Sequence, residues 1–224
     1  MYLYYLSNIT KMSKDELYNM RESYQSSFLL EEDCHSNPFV QFKNWFSHAV
    51  EIKIPEPNAM TIATVGKNGQ PSARMVLLKD FSDAGFSFYT NYDSHKGKQI
   101  QENSKVALLF WWAERQIRIE GIVQKIDRNI AEQYFHSRPK ESQIGAIASP
   151  QSQVLESRAI LDNRYKELEE KYISVEVPLP DNWGGFLVIP QSIEFWQGRV
   201  SRLHDRIQYT RLENNAWKIN RLAP

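Results

Sequence analysis

The sequence predicts a mainly β fold, a barrel with peripheral helices, and three observations carry that reading. Short apolar runs alternate with period two between clusters of Gly, Pro, Asn and Asp. The clearest pair of runs flanks Asn68-Gly69, a dipeptide that accepts the positive φ of a tight hairpin. Helical periodicity is confined to a few stretches between strands, and 224 residues suffice for one core without a second domain.

Residues 1–37 are polar and interrupted and read as an arm, with Lys14 to Tyr24 its one helix-like portion; the barrel domain then covers 38–224. Phe39, Phe42, Trp45, Phe46 and Val50 recur at three- and four-residue steps, an amphipathic helix that ends before Pro55 and Pro57. Ala59 to Val65 and Ser72 to Leu78 form a hairpin around Gly66 to Gln70, and Phe86 to Thr90 is a third strand. Ser94 caps a helix through Gln99 to about Asn103. Val106 to Trp112 then pairs with Arg115 to Ile126 across a turn at Glu114-Arg115. Asp127 caps a helix through Tyr134 to Ser137, and Arg138-Pro139 breaks it. Ser152 opens a longer helix through Tyr172, with Leu161, Tyr165, Leu168 and Tyr172 along its apolar stripe. The tail returns to strands at Gly185 to Ile189, Ile193 to Trp196, Arg206 to Arg211 and Trp217 to Arg221, with Glu213-Asn214-Asn215 as the last turn.

Lysine plus arginine equal aspartate plus glutamate at 27 each, so no global field draws the chain to nucleic acid or to an anionic membrane. Basic clusters are local, which suits small anions. The single Cys34 forms no internal disulfide and fits a reducing compartment. The start, Met1 to Leu6, lacks the basic flank and long apolar run of a signal peptide, and no run reaches membrane-spanning length, so the cytoplasm is the expected location. Zinc spacing, a Walker lysine loop, a dinucleotide Gly-x-Gly-x-x-Gly and a nucleophile elbow are all missing from the sequence, leaving nucleotide hydrolysis and serine chemistry without support.

Several constellations suit phosphate. Tyr89-Thr90-Asn91-Tyr92-Asp93-Ser94-His95-Lys96 runs from a strand end into a helix N-terminus, where backbone N–H groups, the positive dipole end, two hydroxyls and Lys96 converge. On residue types alone it reads equally as a capped helix with solvated neighbours. Arg74, on the strand beside it, can bring a guanidinium to the same point. Lys79 lies five residues beyond Arg74 and so faces the other side of a regular strand; either the strand bulges or it ends before Lys79. Tyr134 and Arg138 share one helix face, with Ser142 just beyond the break, a second cradle that also reads as surface polarity. Gln116, Gln151 and Ser152 offer paired donors and acceptors to a heterocycle edge, or generic capping. Trp196 reads as barrel core, interface or ligand platform, and His204 as a hydrogen-bonded structural histidine beside cation-pairing Asp205.

Arg74-Met75-Val76-Leu77-Leu78-Lys79, the run Tyr134 to Ala146, Trp183-Gly184-Gly185-Phe186 and the run Ile193 to Arg206 together resemble the pyridoxamine 5'-phosphate oxidase family. The match covers about Pro38 to Pro224, with Arg21 and Tyr24 at the spacing of the family's substrate lid. It implies an FMN-binding split β-barrel, homodimeric, with two sites at the subunit interface. It also implies oxidation of pyridoxamine 5'-phosphate or pyridoxine 5'-phosphate by O2 to pyridoxal 5'-phosphate and H2O2, in vitamin B6 cofactor biosynthesis and salvage. The substrate's C4' carbon gives a hydride to flavin N5, and dioxygen reoxidises the flavin. The resemblance assigns FMN to Arg74, Met75, Val76, Leu77, Leu78, Lys79, Tyr89, Thr90, Ser94, His95, Lys96, Gln116, Gln151, Ser152, Trp196 and Arg206. It assigns the substrate to Arg21, Tyr24, Lys79, Tyr134, Arg138, Ser142, Arg202, Leu203 and His204, with Arg202 and His204 nearest the chemistry. His95-Lys96 departs from the Arg-Lys pair of many relatives and makes one phosphate contact dependent on pH. Two alternatives stand beside this reading: another split-barrel flavin oxidoreductase, without the second phosphate site, and a non-catalytic carrier or sensor of FMN or pyridoxal phosphate.

Overall fold

The computed structural model describes residues 13–20, 24 and 27–224. A short helix α1 (Lys14–Asn19) is closed by a capping box in which Ser13 and Glu16 satisfy each other's backbone N–H. It ends at Asn19 with Met20 as its C-cap, and residues 21–23 of the helix-like stretch expected through Tyr24 lie outside the described residues. Helix α2 (Pro38–Glu51) starts on an Asn37 side-chain cap with Pro38 in its first turn and buries Phe39, Phe42, Trp45 and Ala49.

The strands are β1 (Ala59–Val65), β2 (Pro71–Leu77), β3 (Asp80–Ser82), β4 (Gly85–Asn91), β5 (Lys105–Trp112), β6 (Arg115–Lys125), β7 (Trp183–Gln197), β8 (Asp205–Arg211) and β9 (Trp217–Arg221). They form one antiparallel sheet in the order β2-β1-β5-β6-β7-β4-β3, with β8 and β9 leading off β7. The sheet curls until its ends meet: β3 follows β2 after two residues, and the Lys79 N–H donates to the Ser87 carbonyl at 2.9 Å. The barrel splits along β7. Its first half pairs with β4 and its second half with β8, while β6 spans both through a register shift at Glu120/Gly121. Gly121 lies opposite Pro190 at that shift, so proline's missing N–H falls where the ladder is already interrupted. The two separate strands expected at Gly185 to Ile189 and Ile193 to Trp196 are therefore one.

Phe42 sits at the centre of the barrel core, 4.8 Å from Phe81, 4.9 Å from Phe86 and 5.2 Å from Phe110 by ring centroid. Fully burying one such ring contributes about 1.5–3 kcal/mol before packing is counted. The described end of the arm is fastened to this barrel. Leu29 is buried in the core and its N–H donates to Asp205, while the Tyr209 hydroxyl donates to the His35 carbonyl.

Helix α3 (His95–Glu102) follows a Ser94 cap, as expected, and Gly97 lets its first turn press against the Tyr92 backbone, where any Cβ would collide. Helix α4 (Arg128–Ser137) is capped by Asp127. Helix α5 (Lys140–Ala148) was not foreseen: Pro139 ends α4 but also serves as the N-cap position of the next helix. Helix α6 (Arg158–Lys171) begins behind Ser157, not Ser152, because Ser152 has φ 71° and turns the chain instead of starting a helix. A satellite core of Phe135, Ile144, Tyr172, Val177 and Trp183 holds α4 to α6 against the barrel. Among the described residues no helix is long and apolar enough to cross a membrane.

Candidate active site

The ends of β2 and β4 and the helices α3, α4 and α5 enclose a cavity of about 730 Å³. Both phosphate cradles read from the sequence open into it. Lys79, Tyr89, Thr90, Lys96, Tyr134, Arg138, Ser142 and Gln151 line it, with Met75, Val76 and Leu77 along one wall, and no acidic residue is among the described lining.

At one end Lys96 is only 7% exposed. Its Nζ donates to Thr90 Oγ1 at 3.0 Å, Gln151 Oε1 at 3.0 Å and Ser94 Oγ at 3.4 Å, all neutral acceptors. Burial, with the positive charge of Arg74 nearby, lowers its pKa to about 8. Arg74 stands beside the cavity and outside its lining, its guanidinium bonded to Thr64 and Ser72. β2 ends at Leu77, so the face problem between Arg74 and Lys79 is resolved by the strand stopping.

At the other end Arg138 is half-buried. Its Nη2 donates to the Ser142 carbonyl at 2.8 Å, and its Nη1 is buried with no hydrogen-bond partner among the described residues. Burial pushes its pKa down. Tyr89 and Tyr134 stack at 4.0 Å, and Trp183 lies nearly parallel to Tyr134, 8° apart, so three rings form one wall. Lys79 Nζ stands 5.9 Å from the Tyr134 ring centre. Trp183 was not singled out as a site residue; an aromatic immediately before Gly184-Gly185, where the backbone comes close to neighbours, was the available signal.

The other expected site residues lie elsewhere on the protomer. Leu78 is buried in the barrel core, Ser94 is fully buried as the α3 cap, and His95 and Ser152 are exposed outside the cavity lining. Gln116, Trp196 and Arg206 are consecutive partners across β6, β7 and β8. Trp196 contacts Trp111 and Tyr24, each 5.9 Å away by ring centroid, and His204 at 4.6 Å. Gly198 is pressed against the Tyr24 ring, leaving no room for a side chain. Arg206 is held by Glu194 at 2.8 Å and by the Ala223 carbonyl. His204 Nδ1 accepts the Arg199 N–H at 3.0 Å, which leaves the proton of the neutral ring on Nε2. Burial and the neighbouring Arg202 lower its pKa. Arg202 and Leu203 are exposed, and Asp205 pairs with Arg199 and Arg221 as its position among cations suggested. Arg21 lies outside the described residues.

This second group is outside the cavity lining. Tyr89 pairs with Gly185 near the start of β7, and Trp196 is eleven residues further along the same strand, beyond the point where β7 changes partners.

The family model described as pyridoxamine 5'-phosphate oxidase matches residues 46–172, and that of the pyridoxine 5'-phosphate oxidase C-terminal dimerisation region matches 183–224. A Nostoc punctiforme protein named pyridoxine/pyridoxamine 5'-phosphate oxidase is 54% identical over 208 residues, 92% of this chain and 97% of its own length. One of the same name from Aliarcobacter butzleri is 52% identical over 211 residues, covering 93% of this chain and all of its own. PhzG from Burkholderia lata, solved with tetrahydrophenazine-1-carboxylic acid, superposes with a TM-score of 0.84 at 29% identity, over 91% of this chain and 100% of that one.

Proposed function

The chain belongs to the pyridoxamine 5'-phosphate oxidase family, and from that premise we propose that it binds FMN and oxidises pyridoxine 5'-phosphate with O2 to pyridoxal 5'-phosphate and H2O2, and pyridoxamine 5'-phosphate with O2 and water to pyridoxal 5'-phosphate, ammonia and H2O2. The observation that carries this reading is one cavity with two cationic ends, Lys96 with Arg74 beside it and Arg138 with Lys79, and no acidic residue in the described lining. A buried lysine whose acceptors are all neutral, and a buried guanidinium nitrogen with none, are uncompensated donors that a phosphate dianion satisfies. Two such ends suit two phosphorylated ligands.

Lys96, Thr90, Gln151 and Arg74 would hold the FMN phosphate, and Tyr134, Arg138, Ser142 and Lys79 the substrate phosphate. When bound, FMN supplies the two-electron acceptor, chemistry that no side chain here can provide. The protein's part is to anchor, orient and exclude water. Trp196, Gln116 and Arg206 do not line the cavity of their own subunit. We therefore assign them, with Arg202 and His204, to the neighbouring subunit's site across a two-fold axis, so that the enzyme is a homodimer with two composite sites. The dimerisation-region match over 183–224, which contains all of these but Gln116, supports that arrangement. Arg202 offers a planar cation to the substrate ring, and His204 presents an Nε2 proton to it.

PhzG demonstrates that a similar barrel is compatible with a carboxylate ligand. The Arg138 end, where Tyr134, Arg138 and Ser142 all line the cavity, favours a phosphorylated substrate here. Purified protein should show a flavin band near about 450 nm, and adding pyridoxine 5'-phosphate should release pyridoxal 5'-phosphate and H2O2 in equal amounts. Bound flavin without peroxide would identify a carrier instead. Turnover of unphosphorylated pyridoxine as efficient as that of the phosphate would point to a different split-barrel oxidoreductase.

A further inference from the structure

Arg74 is held by an unusual arrangement of neutral groups. Its Nη1 donates to Thr64 Oγ1 at 2.5 Å and its Nη2 to Ser72 Oγ at 2.6 Å. Each hydroxyl then donates its own proton to the same atom, Gln99 Oε1, at 2.6 Å from Thr64 and 2.7 Å from Ser72. Gln99 is 5% exposed and lies one helical turn after Lys96 on α3. A hydroxyl has one proton and two lone pairs, and its rotor is free unless an acceptor fixes it. Gln99 fixes both rotors, turning their lone pairs toward the guanidinium. Because Gln99 is uncharged, it orients the cation without neutralising it.

We propose that Gln99 is a positioning residue for Arg74, holding the guanidinium in the orientation that grips the FMN phosphate. This rests on the FMN reading above. The amide touches no ligand itself; it acts on Arg74 through two hydroxyls and through the longer bond that its Oε1 accepts directly from Arg74 Nη2 at 3.4 Å. Its effect must therefore be confined to the phosphate and must vanish when Arg74 is gone.

The test is a titration of apoprotein with FMN and with riboflavin, which lacks the phosphate, following flavin fluorescence. Gln99→Met should raise the FMN Kd about 10-fold, ~1.4 kcal/mol, leave the riboflavin Kd unchanged, and add nothing further in an Arg74→Ala background. Ser72→Ala removes one arm of the relay at a half-buried position and should repeat the pattern more weakly, which covers the case in which Gln99→Met does not fold. Equal weakening of both flavins, an unchanged FMN Kd, or an undiminished effect without Arg74 would overturn the proposal. If Arg74→Ala itself left the preference for FMN over riboflavin intact, the phosphate site would be misassigned and Gln99's role would fall with it. Loss of that preference in Arg74→Ala but not in Gln99→Met or Ser72→Ala would overturn only the role of Gln99.

Discussion

The guanidinium of Arg138 lies over the indole of Trp183, 4.9 Å from the ring centre, with its Nη1 buried and no hydrogen-bond partner among the described residues. The ring contact and the Nη2 bond to the Ser142 carbonyl hold the group while Nη1 is left unpaired, which is the state of a donor prepared for an anion. A buried donor left unsatisfied costs about 1–3 kcal/mol, so the unliganded site is destabilised locally and ligand binding relieves it. Arg138→Ala is expected to raise KM for the phosphorylated substrate by roughly 10- to 100-fold with kcat little changed, since the anchor acts equally in ground and transition states. Arg138→Lys should recover only part of this, because an ammonium cannot stack in the same plane. Steady-state kinetics on both variants check it, and a fall in kcat with KM unchanged would contradict the anchoring role.

Lys96 makes the proposed FMN end sensitive to pH. Its folded pKa of about 8 lies below the ordinary lysine value of 10.5, so the free protein loses this charge as pH rises through about 8. FMN affinity should be flat below that point and weaken above it, by up to about tenfold per pH unit. Stability of the apoprotein moves the opposite way. Between about 8 and 10.5 the unfolded chain binds more protons at this position than the folded one, so the apoprotein gains stability as pH rises through that window. Lys96→Met should flatten both profiles, weaken FMN binding, and stabilise the apoprotein at neutral pH. A pH-independent FMN Kd in the unaltered protein would remove Lys96 from the phosphate site.

The separation of the two groups along β7 gives a direct test of composite sites. If each site takes its cavity from one subunit and Arg202 from the other, dimers carrying only Lys96→Met, assayed at limiting FMN, and dimers carrying only Arg202→Leu are each strongly impaired alone. A hybrid dimer then contains one doubly damaged site and one intact site. Mixing the two variants through unfolding and refolding should restore roughly a quarter of the wild-type activity per subunit, because half the dimers are hybrids with one working site in two. No recovery, with hybrids demonstrated by differential tagging, would place both residues in the same subunit's site.

Much of this was legible in the sequence where local chemistry dominates. Asn68-Gly69 specified the first hairpin, and Ser94 and Asp127 specified helix starts, because a turn or a cap is satisfied by residues within a few positions. Pro139 misled for the same reason in reverse: it was read as a break, yet it also stands at a helix start. The division between Gly185 to Ile189 and Ile193 to Trp196 failed because one strand continues through Pro190, which lies at a ladder interruption opposite Gly121 of another strand. The site residues came from motifs in the chain, but their grouping did not. Whether Trp196 and Lys96 share a protomer's cavity depends on where β7 changes partners, and the roles of Gln99 and Trp183 arise from side chains brought together by the closed sheet.

Arg202 is the residue where function and local comfort conflict most plainly. Ser201 and Arg202 both adopt left-handed backbone, at φ 57° and φ 61°, in an exposed segment with no glycine. For an L-residue with a Cβ that conformation costs about 1–2 kcal/mol, and such strain is retained where the surroundings or the function require it. Arg202→Leu should keep the dimer and FMN while lowering kcat/KM roughly 10- to 1000-fold, about 1.4–4 kcal/mol of transition-state stabilisation. Arg202→Gly separates the two sides of the conflict. Glycine accepts φ 61° without the Cβ clash, so Tm should hold or rise despite the entropy glycine adds to the unfolded chain, while kcat/KM falls as far as in Arg202→Leu. Arg202→Lys keeps the charge but not the planar cation and should recover only part of the loss. If Arg202→Gly melted earlier or released flavin while its kinetics per bound FMN stayed normal, Arg202 would be a support of the fold and the substrate role assigned to it would be wrong.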